Sequence, residues 1–428
     1  MLRSRFPFRK EVTGGLLYDP RREAYSCLNK SGFALLEFLD RDQFREPIPP
    51  VAREALSRFQ DALHQSDRPM LRGQLVHDRP RVLAAPTIVE ICPNFTCNER
   101  CEFCYVGAEV ENASPANTLP REQIPQVAEK LAGAGVFNVT ILGGEPFLYH
   151  SLDFLIEQLA MHDLDISLST NGTVKNEKFL GAVKRYGVKL NVALHGPDAE
   201  THNRVTRSNS FSKVLQFVES CSELEIGIHL TTVLHPANAS RTDDVVKLAS
   251  SLGIKSLTVS YPQPTRYAKA HGATVPFNEY ARVARRAFDV GRAESVRVRG
   301  NCHYNFLLPE FQGEFELQNP LAKLLYGDKA GRSRLEMMPS GDLYPTSSVF
   351  GKPEFKVANL FTDDLLDAWA NSPVLQRIRE RKLPEVCQSC EYNSICGGGI
   401  IGENLSQDSW HAPPSDCPIL ESEVSDLV

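Results

Sequence analysis

Seven of the eleven cysteines carry the clearest chemical signal in the chain, because they fall into two groups. Cys97, Cys101 and Cys104 are spaced Cys-x3-Cys-x2-Cys in CNERCEFCY, directly after an apolar run, TIVEIC, that reads as a strand. Three thiolates on one short loop can hold three corners of an iron-sulfur cube, leaving the fourth iron open to a substrate. The alternative is a structural zinc site, whose tetrahedron needs a fourth donor close by. Three features favour the open cluster: the loop at a strand's C-terminal end, Phe103 before the last cysteine, and Gly143, Gly144, Glu145 and Pro146 ending the next strand. The second group, CQSCEYNSICGGG, holds Cys387-x2-Cys390-x5-Cys396, and Cys417 follows before a proline. Four thiolates suit either an all-cysteine zinc site or a fully ligated iron-sulfur cluster, and spacing does not separate the two. The other four, Cys27, Cys92, Cys221 and Cys302, read as small buried apolar side chains.

Those groups need elements to position them, and a chain of 428 residues has room for two or three domains of ordinary size. Apolar residues at 42% and charged residues at 23% are a globular composition, which excludes a mostly disordered or low-complexity chain. With 47 basic and 53 acidic side chains the net charge is -6, so neither nucleic acid nor an anionic membrane is an expected partner. No stretch approaches the ~20 apolar residues that span a bilayer, and the basic start MLRSRFPFRKEVTGG lacks an apolar signal core. The cytoplasm is the expected compartment; it keeps thiols reduced, so the cysteines read as metal ligands rather than disulfides.

Three segments are expected. In residues 1–82, TGGLLYD and EAYSCLN read as strands joined by a turn after Asp19. A helix capped by Asn29 follows with Phe33, Leu36 and Leu39 on one face, and a second, with Leu56, Phe59 and Leu63, runs to about Gln65. In residues 83–300, TIVEIC, VFNVTIL, DISLS, KLNVAL, IGIHLTTVL and KSLTVSY each precede a helical pattern. Strand then helix, six times over, predicts an α/β fold: a parallel sheet built as a partial (β/α)6 barrel, with functional groups at the strand C-termini. Residues 301–428 lose this rhythm, and a metal site closing their loops would supply order.

From about Thr87 to Glu294 the chain resembles the radical S-adenosylmethionine (SAM) superfamily, on the residues CNERCEFCY and GGEP. The resemblance implies a four-iron cluster on Cys97, Cys101 and Cys104 whose open iron chelates SAM, with reductive cleavage giving a 5'-deoxyadenosyl radical that abstracts a substrate hydrogen. It implies SAM contacts from Phe103, Gly143, Gly144 and Glu145, and from Ser169 and Asn171 in the STNG turn. LHG stands where relatives often have SLDG, so Ala193 replaces a serine that contacts SAM in some of them. HNRVTRSNSF resembles the stretch whose arginine reaches the SAM carboxylate, which implies that role for Arg207; an arginine on a solvated helix start is the alternative.

From about Met337 the chain resembles a SPASM domain, on SGDLYP, the segment around Trp369 and the Cys-x2-Cys-x5-Cys-Gly-Gly-Gly run. Thr346 and Ile400 stand where cysteines of one of that domain's two clusters usually lie. The resemblance thus implies a single auxiliary four-iron cluster on Cys387, Cys390, Cys396 and Cys417, two clusters in all. Arg5 to His64 resembles the PqqD-like, winged-helix-like α+β fold that recognises leader peptides by strand addition, a packing module being the alternative. Together these imply an enzyme that modifies a ribosomally made precursor peptide by crosslinking, epimerisation or oxidation, supplied with electrons by a donor such as flavodoxin or ferredoxin. A radical SAM enzyme acting on a small molecule such as a tetrapyrrole, and a non-catalytic metal-binding peptide carrier, stay open. No catalytic acid or base is assigned; Tyr261, His303 and Tyr304 lie near strand ends, where packing roles compete with substrate contact.

Overall fold

The structure, a computed structural model, describes residues 5–21, 24–28, 30–40, 68–73, 82–114, 116–308, 327–406, 413 and 417–420. The N-terminal unit is a sheet of β1 (Arg5–Glu11), β2 (Gly14–Asp19), β3 (Ala24–Leu28) and β4 (Arg68–Leu71), in the order β3-β2-β1-β4, with α1 (Lys30–Asp40) packed on it. The two predicted strands and the first helix form. Asn29 and the predicted second helix lie outside the described residues. Gly15 lets α1 approach: a Cβ there would meet the Phe33 ring at 2.5 Å.

All six residues of β2 are buried, because the strand is covered on both sides. Leu17 faces α1 with Phe8, Phe33 and Leu36, while Leu16 and Tyr18 join the core of the large domain. Alternation along one strand thus cements the two units. The Tyr18 hydroxyl donates to Asp165 Oδ2 at 2.6 Å. The fully buried Arg9 pairs with Glu11 at 2.8 Å and donates to the carbonyls of Ala85, Pro86 and Gly135.

The large domain is built on a ten-stranded sheet. Seven strands run parallel in chain order: β5 (Ile88–Ile91), β6 (Asn138–Ile141), β7 (Asp165–Thr170), β8 (Lys189–Ala193), β9 (Ile228–Val233), β10 (Ser256–Ser260) and β11 (Arg297–Asn301). On the far side of β5 the sheet continues through parallel β12 (Arg334–Met337) and antiparallel β13 (Asp342–Tyr344) and β14 (Ala358–Asn359), so hydrogen bonding crosses residue 300 without a break. The six predicted strands form, and helices occupy the predicted stretches, for example Leu152–Met161, Glu177–Tyr186 and Phe277–Glu294. Among the described residues no helix is long and apolar enough to cross a membrane.

Parallel strands covered on both faces read as continuous apolar runs, whereas β7 and β8 alternate strictly. Ile166, Leu168, Leu190 and Val192 are buried; Ser167, Ser169, Asn191 and, on β9, Thr231 are half-buried on the opposite face. That face carries a hydrogen-bonded polar layer, with Thr231 Oγ1 donating to Asn191 Oδ1 at 2.8 Å and His229 between Ser256 and Thr258 at 2.8 and 2.7 Å.

Candidate active site and second cysteine group

The loop carrying Cys97, Cys101 and Cys104 leaves β5 and is fastened to the end of β6 by backbone bonds. Gly144 N donates to Asn94 O at 3.0 Å and Glu145 N to Thr96 O at 2.8 Å. This approach explains two glycines: a Cβ on Gly143 would lie 2.6 Å from Asn94 O, and one on Gly144 would lie 2.3 Å from Thr96 O. Backbone atoms cannot step aside, so only glycine fits.

Glu145 is buried, and it turns toward the next strand end. Oε1 accepts from Phe147 N at 2.9 Å and Thr170 Oγ1 at 2.6 Å, and Oε2 accepts from Asn171 N at 2.8 Å. Burial pushes its carboxyl up to about 7, against the lowering effect of these three donors. Oε2, with a single partner, keeps capacity for another donor such as an ammonium. Asn171 Nδ2 donates to Asn98 Oδ1 at 2.8 Å and lies 3.9 Å from Cys97 Sγ, so the STNG turn braces the cysteine loop. Ser169 sits one pleat back on the polar face, 3.4 Å from Asn191 Nδ2.

The other side of the loop rests on a helix that the sequence reading missed, Ala199–Thr206. Arg100 N donates to Thr206 O at 3.1 Å and Glu102 N to Val205 O at 3.4 Å. Arg207 follows, exposed, with φ 52° at the helix end, so the expected alternative of a helix start is corrected to a left-handed C-cap. Phe103 packs edge-on against buried His195, whose Nδ1 accepts from Val233 N at 3.1 Å. His202 Nδ1 accepts from His195 N at 3.1 Å, and His235 Nε2 lies 3.1 Å from Glu102 Oε2. Burial holds the His195 and His202 imidazoles below their usual range, so they act as neutral struts. These histidines and Glu99, buried beside Cys101, were not singled out from sequence; His235 meets Glu102 and Glu99 meets Ser208 only in the folded chain.

Burial pushes the Cys97 thiol up to about 12 and the Cys104 thiol up to about 11, and raises Cys101 well above its ordinary value. Each thiolate would also repel the others: Cys104 acts on Cys97 and Cys101, and Cys97 on Cys101. The three side chains are half-buried, so ionising them together carries a cost that a bound cation would offset. Among the described residues no group of three or more His, Cys, Asp and Glu side chains is gathered as ligands of a single metal ion.

Cys387, Cys390, Cys396 and Cys417 line one cavity with Tyr304, Phe306 and Ile419. Cys396 Sγ accepts from Gly399 N at 3.2 Å and lies 3.5 Å from His303 Nε2. Burial pushes the Cys396 thiol up to about 11, with Cys417 and Cys387 adding to the rise. Beside this group, at the ends of β10 and β11, a second cavity of about 380 Å³ is lined by Tyr261, Cys302, His303, Thr346 and Ile400. A third, of about 190 Å³, shares Gln263, Ser348 and Ile400 with it and reaches Tyr105, the neighbour of Cys104. These two cavities are neighbours through those three residues. Tyr304 is buried among Phe277, His303 and Phe306, a packing role. Cys92 and Cys221 are buried as expected, but Cys27 and Cys302 are only half-buried, Cys302 because it opens onto the cavity at the end of β11.

A family model described as the radical SAM superfamily matches residues 91–249, the stretch that carries the first cysteine group, the GGEP end of β6 and the STNG turn. These residues are a radical SAM domain. Around that domain the chain is 21% identical over 333 residues to the antilisterial bacteriocin subtilosin biosynthesis protein AlbA of Bacillus subtilis, covering 74% of this chain and 67% of that one. It is 24% identical over 334 residues to the mycofactocin maturase MftC of Mycobacterium ulcerans, covering 77% and 86%. The fold is similar to that of Streptococcus suis SuiB, solved with S-adenosylmethionine and with its precursor peptide SuiA. Its TM-score is 0.76 over 96% of this chain and 98% of that one, at 18% and 17% identity. The radical SAM domain of this chain thus sits among homologues that include peptide maturases.

Proposed function

We propose that this protein is a radical SAM enzyme that modifies a ribosomally made precursor peptide. The carrying observation is the Cys97, Cys101 and Cys104 loop, half-buried and clamped between the GGEP end of β6 and the STNG turn. Those three thiols would hold a four-iron cluster, and Cys387, Cys390, Cys396 and Cys417 an auxiliary one, in keeping with the cavity they share. When bound, cluster and SAM supply a one-electron cleavage to methionine and a 5'-deoxyadenosyl radical, which takes a hydrogen atom from a peptide carbon. Glu145, through the spare capacity of Oε2, receives the SAM ammonium; Phe103, Gly143, Gly144, Ser169, Asn171 and Arg207 complete its contacts. The two neighbouring cavities offer room for an extended peptide between Tyr105 and His303.

The N-terminal unit acts as a PqqD-like leader binder, a role in keeping with a small sheet whose order among the described residues ends at β3. Residues 301–428 are read as a SPASM-like domain with one auxiliary cluster: Thr346 and Ile400 both line the 380 Å³ cavity, which leaves that space to the peptide. The test is anaerobic incubation of the reconstituted full chain with SAM, a flavodoxin or ferredoxin reductant, and a deuterated candidate precursor peptide. Methionine and 5'-deoxyadenosine in equal amounts, the latter carrying peptide deuterium, support the reading. Cleavage without deuterium transfer overturns the peptide assignment, and no cleavage overturns the enzyme.

A further inference from the structure

His303 and Arg332 occupy an unusual position beside the second cysteine group. His303 Nε2 lies 3.5 Å from Cys396 Sγ, while its ring also lines the 380 Å³ cavity. Arg332 is 6% exposed; Nη2 donates to Gly397 O at 3.3 Å and Nη1 is buried without a hydrogen-bond partner among the described residues. The charges acting on this guanidinium include Asp328, Arg381 and Cys396. An uncompensated buried arginine is costly, so its position calls for a negative group nearby. Asp328 does not balance these surroundings alone, because the Arg381 guanidinium adds a second positive charge to them. A four-thiolate cluster would supply the missing charge, since its sulfurs carry more negative charge than its iron core offsets.

The same geometry has a redox consequence. An N–H donated to a cluster sulfur, and a fixed positive charge in a desolvated site, both favour the more negative, reduced form. We infer that His303, by an Nε2–H···Sγ bond to Cys396, and Arg332, by its buried charge, raise the reduction potential of the cluster on Cys387, Cys390, Cys396 and Cys417. They are positioning residues for an electron acceptor next to the peptide cavity. The inference rests on the auxiliary-cluster reading above.

The experiment is an anaerobic redox titration of the reconstituted full chain, following each cluster by low-temperature EPR, with iron counted per chain. His303→Leu removes the donor, His303→Gln restores an N–H, and Arg332→Met removes the charge. A hydrogen bond to a charged group is worth about tenfold in an equilibrium constant, and only its gain on reduction moves the midpoint, so His303→Leu is expected to lower the auxiliary midpoint by up to about 59 mV. Arg332→Met shifts it the same way, His303→Gln returns it toward wild type, and the cluster at Cys97, Cys101 and Cys104 keeps its midpoint throughout. Unchanged auxiliary midpoints at about eight irons per chain overturn this inference alone, as does an equal shift of both clusters. About four irons in the wild type overturns the auxiliary-cluster reading itself. If Arg332→Met loses iron, the histidine pair decides, because its side chain borders open space.

Discussion

Gly144→Ala tests whether the approach of the β6 end to the cysteine loop is obligatory. The new Cβ would lie 2.3 Å from Thr96 O and 2.6 Å from the carbonyl of Phe95, both backbone atoms in the loop that carries Cys97. Relief requires the loop to move away, which lengthens the Gly144 N to Asn94 O and Glu145 N to Thr96 O bonds, now 3.0 and 2.8 Å. Two backbone hydrogen bonds at about 1 kcal/mol each, with about 1 to 3 kcal/mol of overpacking, give a loss of roughly 3 to 5 kcal/mol. The apo protein should show that loss in urea, and after anaerobic reconstitution it should hold about four fewer irons. Gly133→Ala is the control: nothing lies within 4 Å of its added Cβ at the end of helix Ile124–Gly133, so it should be neutral or stabilising by up to about 1 kcal/mol. If both variants behave alike, the steric account of the GGEP turn is wrong.

Three further outcomes follow from buried polar groups. Arg9→Met leaves Glu11 with Ala84 N as its remaining partner away from water and should cost about 3 to 5 kcal/mol in a urea titration; a loss below about 1 kcal/mol would show that Arg9 does not hold the units together. Tyr18→Phe removes one of three donors to Asp165 Oδ2, the others being Lys189 and Asn138, and should cost about 1.5 to 3 kcal/mol; an unchanged midpoint would contradict this. For Glu145, the carboxyl titrates near 4.5 when unfolded and near 7 when folded, so the folded state holds more protons in that window and stability falls as pH rises through it. Glu145→Gln cannot ionise, so its stability relative to wild type should rise by roughly 3 kcal/mol between pH 4 and pH 8, and a flat difference would refute the burial argument.

What the sequence revealed, and what it hid, has a physical pattern. Period-two apolar runs and amphipathic helices are local, so β5 to β10 and their helices were legible from Thr87 onward. The edge strand β11, RVRGN, is polar and partly exposed; without a buried face it shows no alternation, and it was missed. The helix Ala199–Thr206, AETHNRVT, is short and polar, yet it supports the cysteine loop. β12, RLEM, reads as strand only once it pairs with β5, a contact across more than two hundred residues. Cysteine spacing announced both groups, but not that His303 would approach Cys396, nor that Glu145 would be tied to Thr170 and Asn171. Spacing reports the cysteines of one loop, whereas partners from other strand ends depend on the assembled sheet.

The central claim is that the cluster on Cys97, Cys101 and Cys104 keeps one iron free for SAM. Its most direct measurement is the low-temperature EPR spectrum of the reduced, reconstituted full chain with and without SAM, alongside Cys101→Ala. The account predicts a signal whose g-values change when SAM is added, and that this SAM-sensitive signal is missing from Cys101→Ala. A wild-type spectrum that ignores SAM, or a SAM response that survives in Cys101→Ala, would contradict it.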